Sequence, residues 1–450
     1  MTRRRFDQIA GACFAALKGD EALTLTLAGE NQHYIRFNAG RVRQSTQVEQ
    51  RHLSLYFQSR GRRVVYGFDL TGHLEQDQRA SLTLIARARA EAAVLPEDPF
   101  VAPVRNHGVT NQQYRGKMPD IPCLLDDTAA SAQGIDFTGL FAAGPQLRAT
   151  RNSAGLNHWF ETESFFLDYS LYTVNASGEN KAVKGGYAGR DWDPAQLADT
   201  LAASREKLTH MQRDNHPVGP GHYRVYFAPA AVSALLDMFS WGAVSYGAWR
   251  KGDSALGKLI EGHIQLSPLF SLNENFGLGL APAFNSLGEV APTLLPIIEQ
   301  GQLKNLLTGS RSAQEYGVAA NGAEPGRWAS ESLRSPEMAA GVLPTTEILK
   351  TLDTGLYVGN LHYLNWSDLQ NARLTGMTRY ACFWVENGAI IAAPIRDLRF
   401  DESLYRIFGS ELEALTATRE IHIDTDTYHH RALGGSKAPG MLVLDFRFTL

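Results

Sequence analysis

The sequence predicts an α+β protein, with an N-terminal antiparallel sheet carrying two helices and a C-terminal β-rich domain with inserted helices. Three observations carry this expectation. Runs of alternating apolar and polar residues recur along the chain, as in Leu23–Leu27, Tyr34–Phe37 and Phe160–Val174. Short turn signals separate pairs of such runs, at Asn38-Ala39-Gly40, Ser59-Arg60-Gly61 and Asn387-Gly388. Stretches with helical character are few, near residues 6–17, 75–94, 194–212 and from Pro229 onward.

Taken in order, Phe6, Ile9, Cys13, Phe14 and Leu17 fall on one face of a first helix. Arg3-Arg4-Arg5 ahead of Ile9–Leu17 faintly suits a secretory leader, but Asp7 and Gln8 interrupt it. No small-residue cleavage site follows at Lys18-Gly19-Asp20, so an amphipathic helix is the better reading. Two hairpins follow, Tyr34–Phe37 with Val42–Val48 and His52–Phe57 with Arg63–Tyr66. The stretch Glu75–Val94 holds no Gly or Pro and ends before Pro96 and Pro99, as a helix should. Residues 1–100 therefore read as an N-terminal α+β domain. Residues 101–135, rich in proline, read as a linker. Residues 136–450 read as the C-terminal β-rich domain. There, Asp193 and Pro194 suit the N-cap and first position of a helix reaching about Gln212. Pro229 opens another, expected to run towards Trp249. Tyr380–Glu386 and Ala389–Ala393 flank the Asn-Gly hairpin, and Met441–Leu450 is a final strand.

Composition excludes several classes. Lys and Arg number 43 against 47 Asp and Glu, so no strong field for nucleic acid is present. No apolar run approaches the roughly 18 residues that span a bilayer. Three widely spaced cysteines, Cys13, Cys123 and Cys382, do not make a disulfide framework, which suits a reducing, cytoplasmic setting.

Searches for chemistry are mostly negative. None of the 13 histidines is followed by Glu, so neither HExxH nor HExxxH occurs. His422, His429 and His430 cluster, but adjacent residues on a strand point opposite ways, and exposed histidines are the simpler reading. Gly252 to Lys258 is one residue short of a P-loop, with Leu259 where a magnesium-binding hydroxyl belongs. No GxSxG elbow occurs, and Cys13 and Cys382 sit in apolar patterns typical of cores. Gly185-Gly186-Tyr187-Ala188-Gly189 reads as a turn between strands.

Six stretches in order resemble the TldD/PmbA family, described as modulators of DNA gyrase and as peptidases. They are Arg151–Gly155; Tyr223 to Pro229-Ala230-Ala231 with Leu235-Leu236; Gly252-Asp253-Ser254 to Leu259, then Ser267-Pro268; Ile298 to Leu307 with Tyr316-Gly317; Thr354–Val358; and Cys382 to Gly388 with Pro394. They span almost the whole chain. The resemblance implies two kinds of subunit. TldD-type chains carry HExxxH on the helix after the Pro-Ala-Ala step, and TldE/PmbA-type chains lack it. Matching Ala243-Val244 to the interior of that motif puts Trp241, Gly242 and Tyr246 at the His, Glu and second His positions. An indole offers only a donor, glycine offers nothing, and a neutral phenol is a poor ligand. The resemblance thus implies a chain with no catalytic residue and no metal of its own. Zinc is expected in a TldD-like partner, and flexible or unfolded peptide is the expected substrate. Trp241 and Tyr246 are the candidate groove-lining residues. The chain departs from the family pattern at Asn273-Glu274-Asn275 and Asn285-Ser286-Leu287-Gly288, where acidic residues are usual. Two alternatives to a TldD-like heterodimer stand beside it: a homodimeric peptide binder without protease activity, and a peptidase with an unrecognised site.

Overall fold

The computed structural model describes residues 3–325, 330–394 and 396–449. Its first sheet has seven strands: β1 (Ala22–Asn38), β2 (Arg41–Ser59), β3 (Arg62–Asp69), β4 (Val109–Tyr114), β5 (Asp136–Asn152), β6 (Asn157–Val174) and β7 (Asn180–Gly189). They pair in the order β3-β2-β1-β5-β6-β4, with β7 also on β6. Both N-terminal hairpins close with two residues at positive φ, Ala39-Gly40 and Arg60-Gly61. That turn geometry matches the right-handed twist of the flanking strands.

Strand alternation divides the sheet into two unlike faces. Odd-numbered side chains such as Leu23, Leu25, Leu53 and Phe57 are buried with Phe6, Ile9, Cys13 and Ile85. Those last residues come from α1 (Arg3–Ala15) and α2 (Leu74–Ala92). Further along the same face, Phe137, Phe141, Phe165 and Leu171 pack with Leu124, Leu197 and Leu201, from α3 (Ile121–Ser131) and α4 (Pro194–Met211). Each fully buried Leu or Phe contributes about 1.5–3 kcal/mol, so this face holds the helices. The expected capping of α4 is observed: the Asp193 carboxylate accepts from the Ala195 N–H at 2.9 Å.

Residues 136–189, grouped by the sequence with the C-terminal part, pair with the first sheet: β5 lies against β1 from Thr24↔Asn152 to Phe37↔Gly139. The expected linker contains β4 and α3. β4 reads Val-Thr-Asn-Gln-Gln-Tyr, too polar to signal a strand, and α3 is started by the Asp120 cap and Pro122. Gly185–Gly189 is not a turn but the end of β7. A Cβ on Gly185 would lie 2.4 Å from the Tyr169 ring, so the glycine makes room for a neighbour across the strands.

The second sheet has eleven strands. β8 (Gly221–Phe227) pairs parallel with Gly355–Asp368. That strand pairs with Arg373–Glu386, which pairs with Arg399–Ser403, which meets Gly435–Phe448. Gly435–Phe448 then pairs back onto β8, closing a ring. Val225, Phe227, Leu374, Phe400, Val443 and Phe446 are among the side chains buried in its core.

Candidate functional site

The segment after β8 carries the family comparison, and its geometry differs from the expected single helix. α5 (Pro229–Asp237) buries Ala231, Val232, Leu235 and Leu236, and a single 3-10 turn, Met238–Ser240, continues it. The helix then stops. Gly242 has φ +88°, a left-handed conformation that side-chain-bearing residues avoid. Chain direction resumes at α6 (Tyr246–Lys251), capped by Ser245, whose hydroxyl accepts from the Ala248 N–H at 3.0 Å.

Trp241 and Tyr246 therefore lie on either side of a kink, in different surroundings. Trp241 is 50% exposed, and its indole donates to the Asp237 carboxylate. Burial holds that carboxyl above the usual range, the nearby Asp424 adds to the effect, and the indole opposes it. Tyr246 is half-buried, with its ring 5.5 Å from Trp249 and 5.9 Å from Tyr316. Arg250 lies 4.7 Å over the Tyr316 ring.

The kinked segment is braced by a buried carboxylate that sequence inspection did not single out. Glu331 accepts from the Ser245 hydroxyl, from the Gly247 N–H at 3.2 Å and from the Gly309 N–H at 3.1 Å. Gly247 lies in the first turn of α6, and Gly309 caps the helix Ser310–Tyr316. One negative charge thus serves two helix N-termini, where anions are favoured. This donor set does not fit a zinc ion: Trp241, Gly242 and Tyr246 supply no nitrogen or carboxylate ligand. Among the described residues, no three His, Cys, Asp or Glu side chains are grouped so as to hold a metal.

The remaining sequence candidates separate. Cys13 and Cys382 are buried, and burial pushes both thiols up to about 11. Cys123 is exposed on α3. Lys258 donates to Asn371 at 2.6 Å, so the P-loop-like stretch is tied into the surface. The two departures from the family pattern have structural uses. Glu274 accepts from the Arg334 and Ser335 N–H groups, and the Arg334 guanidinium donates to three carbonyls, those of Pro282, Phe284 and Gly322. Asn285 shapes a loop that seats on the first sheet. There, Thr26 donates to the Ser286 carbonyl at 2.6 Å, and His158 Nε2 donates to the Gly288 carbonyl at 3.1 Å.

A concavity of about 720 Å³ lies on the even-numbered face of the first sheet. Glu30, Tyr34 and Arg36 of β1, Thr46 and Gln50 of β2, and Asp168 of β6 line its floor. One end is closed by the loop after the strand Leu412–Ile423, which contributes Thr427, His429 and His430. Arg431 anchors this loop with no exposed surface. Its Nη1 donates to Gln32 Oε1 and the Ser164 carbonyl, its Nη2 to Ser164 Oγ, and its backbone N–H to Glu30, each at 2.8 Å. Gln146 donates to the Arg431 carbonyl at 2.9 Å, and Gln50 to the His429 carbonyl at 2.7 Å. Burial lowers the Arg431 guanidinium to about 10, well above neutral pH, so it stays charged. Burial and the Arg148 charge both lower His430, favouring the neutral imidazole. This loop and its arginine were not legible as a lock in the sequence, because every partner is remote along the chain.

A helix-backed sheet joined to a closed strand ring, with the Pro-Ala-Ala step entering a helix beside that ring, defines a TldD/PmbA-type protein. Residues 220–450 match the PmbA/TldA metallopeptidase C-terminal domain model, which is more than half of the chain, and the chain belongs to this family. Solved structures share the fold over nearly the full length. TldE from Thermococcus kodakarensis has a TM-score of 0.80 at 14% identity, covering 99% of this chain and 100% of that one. A protein described as a candidate modulator of a DNA gyrase from Thermotoga maritima has a TM-score of 0.76 at 16% identity, with coverage of 99% and 100%. A similarly described protein from Bacteroides thetaiotaomicron has a TM-score of 0.76 at 14% identity, with coverage of 99% and 98%. No curated protein matches the chain. No helix among the described residues is long and apolar enough to cross a membrane.

Proposed function

We propose that this chain is a non-catalytic, TldE/PmbA-like subunit of a cytoplasmic zinc metallopeptidase complex that acts on unfolded or flexible peptides. In this reading a TldD-like partner holds the zinc, and this chain supplies part of the peptide-binding chamber. The observation that carries it is the break at Gly242: the helix that would present metal ligands ends at Ser240, and no ligand side chain stands at Trp241, Gly242 or Tyr246. A groove of about 720 Å³ on a strand surface suits an extended peptide. The purified chain is expected to contain no zinc and to cleave no casein or flexible peptide, with cleavage appearing when a TldD-type chain from the same source is added. Stoichiometric zinc, or cleavage by this chain alone, overturns the reading.

A second reading is a homodimeric peptide-binding protein without protease activity. One observation favours it: β2 pairs with β3 only from His52 to Ser59, and the Arg51 carbonyl accepts from the Leu70 N–H, which leaves residues 41–50 as a strand edge paired on one side. Such an edge can accept another strand.

A further inference from the structure

One end of the groove carries positive charge that the chain itself leaves uncompensated. β1 and β2 pair without interruption from Ala22↔Gln58 to Arg36↔Gln44, and then the register slips so that Phe37 faces Val42. Arg43 is the extra residue of a bulge. A bulge sets two residues of one strand opposite one of its partner and re-aims their side chains. Arg43 and Gln44 therefore both stand by Arg36, and all three line the groove.

The carboxylates of the groove are engaged elsewhere. Asp168 sits two strands from Arg36, across Leu140, and is held by Lys184 at 2.6 Å. Glu30 lies six residues back along β1, roughly 20 Å away, where it receives Gln50 and the Arg431 N–H. Among the described residues, neither the Arg36 nor the Arg43 guanidinium has an ion pair or hydrogen bond. Beside them are Asn38, Thr46 and Ser170, neutral groups able to bind oxygen.

We propose that the Arg36–Arg43 end of the groove is an anion subsite that takes a carboxylate of an extended peptide. Two guanidinium forks on one face match the two oxygens of a carboxylate. The roughly 20 Å to Glu30 accommodates about six extended residues. The proposal rests on the peptide-binding reading above and adds the chemistry of one peptide end. The carboxylate comes from a C-terminus or from an acidic side chain.

Fluorescence anisotropy with three N-terminally labelled hexapeptides of one sequence tests it: a free C-terminal acid, its amide, and an amide whose last residue is Glu. The free acid is expected to bind wild type about tenfold more tightly than the amide. The R36Q/R43Q variant is expected to erase that preference, so that the free acid and the amide bind it equally. Both side chains are exposed, so the variant should melt like wild type. If the Glu-amide matches the acid, side-chain carboxylates are ligands too; if it matches the plain amide, the terminus is the ligand. Equal binding of acid and amide by wild type, or a preference that survives R36Q/R43Q, overturns the subsite while leaving peptide binding intact. Absence of binding by all three removes the subsite and the peptide-binding reading together.

Discussion

Arg431 Nη1 donates to Gln32 Oε1 at 2.8 Å, and this contact ties a loop between two C-terminal strands to the first strand of the chain. The guanidinium also lies 5.1 Å from the Phe166 ring centroid. The loop it anchors forms one wall of the groove, so the lock couples folding of the second sheet to the shape of a site on the first.

Arg431→Ala should therefore cost roughly 3 kcal/mol or more, because Gln32 and Ser164 lose their buried donors and a cavity opens. Urea denaturation of the variant measures this. A loss under 1 kcal/mol would show that the buried arginine is dispensable.

Restoring the metal motif by W241H/G242E/Y246H should not create a zinc site. The main chain at Gly242 is left-handed, and a Glu there costs about 1–2 kcal/mol of strain. The two histidines would also sit on separate helical segments. Zinc content after dialysis should remain far below one ion per chain, and stoichiometric metal would refute the kink as the decisive feature.

Acid should weaken the contact between the two sheets through His158. Burial lowers this imidazole below its ordinary 6.5, so the folded state binds fewer protons than the unfolded one. Its contribution is fully present above pH 6.5 and is lost as pH falls below that value. The buried carboxyls of Asp237 and Glu274 are shifted upward and act in the opposite sense. The informative comparison is thus wild type against His158→Gln at pH 7.5 and 5.5. The variant should lose less stability over that interval, and identical losses would rule His158 out.

Thiol reactivity should sort the three cysteines. Cys123 is exposed, although its hydrogen bond to Asp120 raises its thiol and slows attack. Cys13 and Cys382 are buried with thiols near 11. A thiol reagent at pH 8 should modify one cysteine in the native protein and three after denaturation. Rapid native modification of Cys382 would revive it as a nucleophile.

Local signals in the sequence were strong wherever one stretch fixes its own conformation. The Asp193-Pro194 start of α4, the Asn387-Gly388 hairpin and the alternation of Leu23–Leu27 each depend on residues within a few positions, and each appears as expected. The six family-like stretches identified the TldD/PmbA fold for the same reason: they are read one segment at a time. The polar strand β4 was missed because its residues lack the alternation that marks a half-buried strand.

What the tertiary structure alone decided is everything that joins remote residues. The sequence by itself determined the fold class, the family and the lack of ligand side chains at Trp241, Gly242 and Tyr246. It did not place β5 beside β1, end the Pro229 helix at Ser240, bury Arg431 against Gln32, or bring Glu331 to Ser245. Periodicity reports which face of an element is apolar, whereas strand order, a kink held by a distant carboxylate and a buried ion lock are set by packing between segments. Their energies depend on partners that no local window contains.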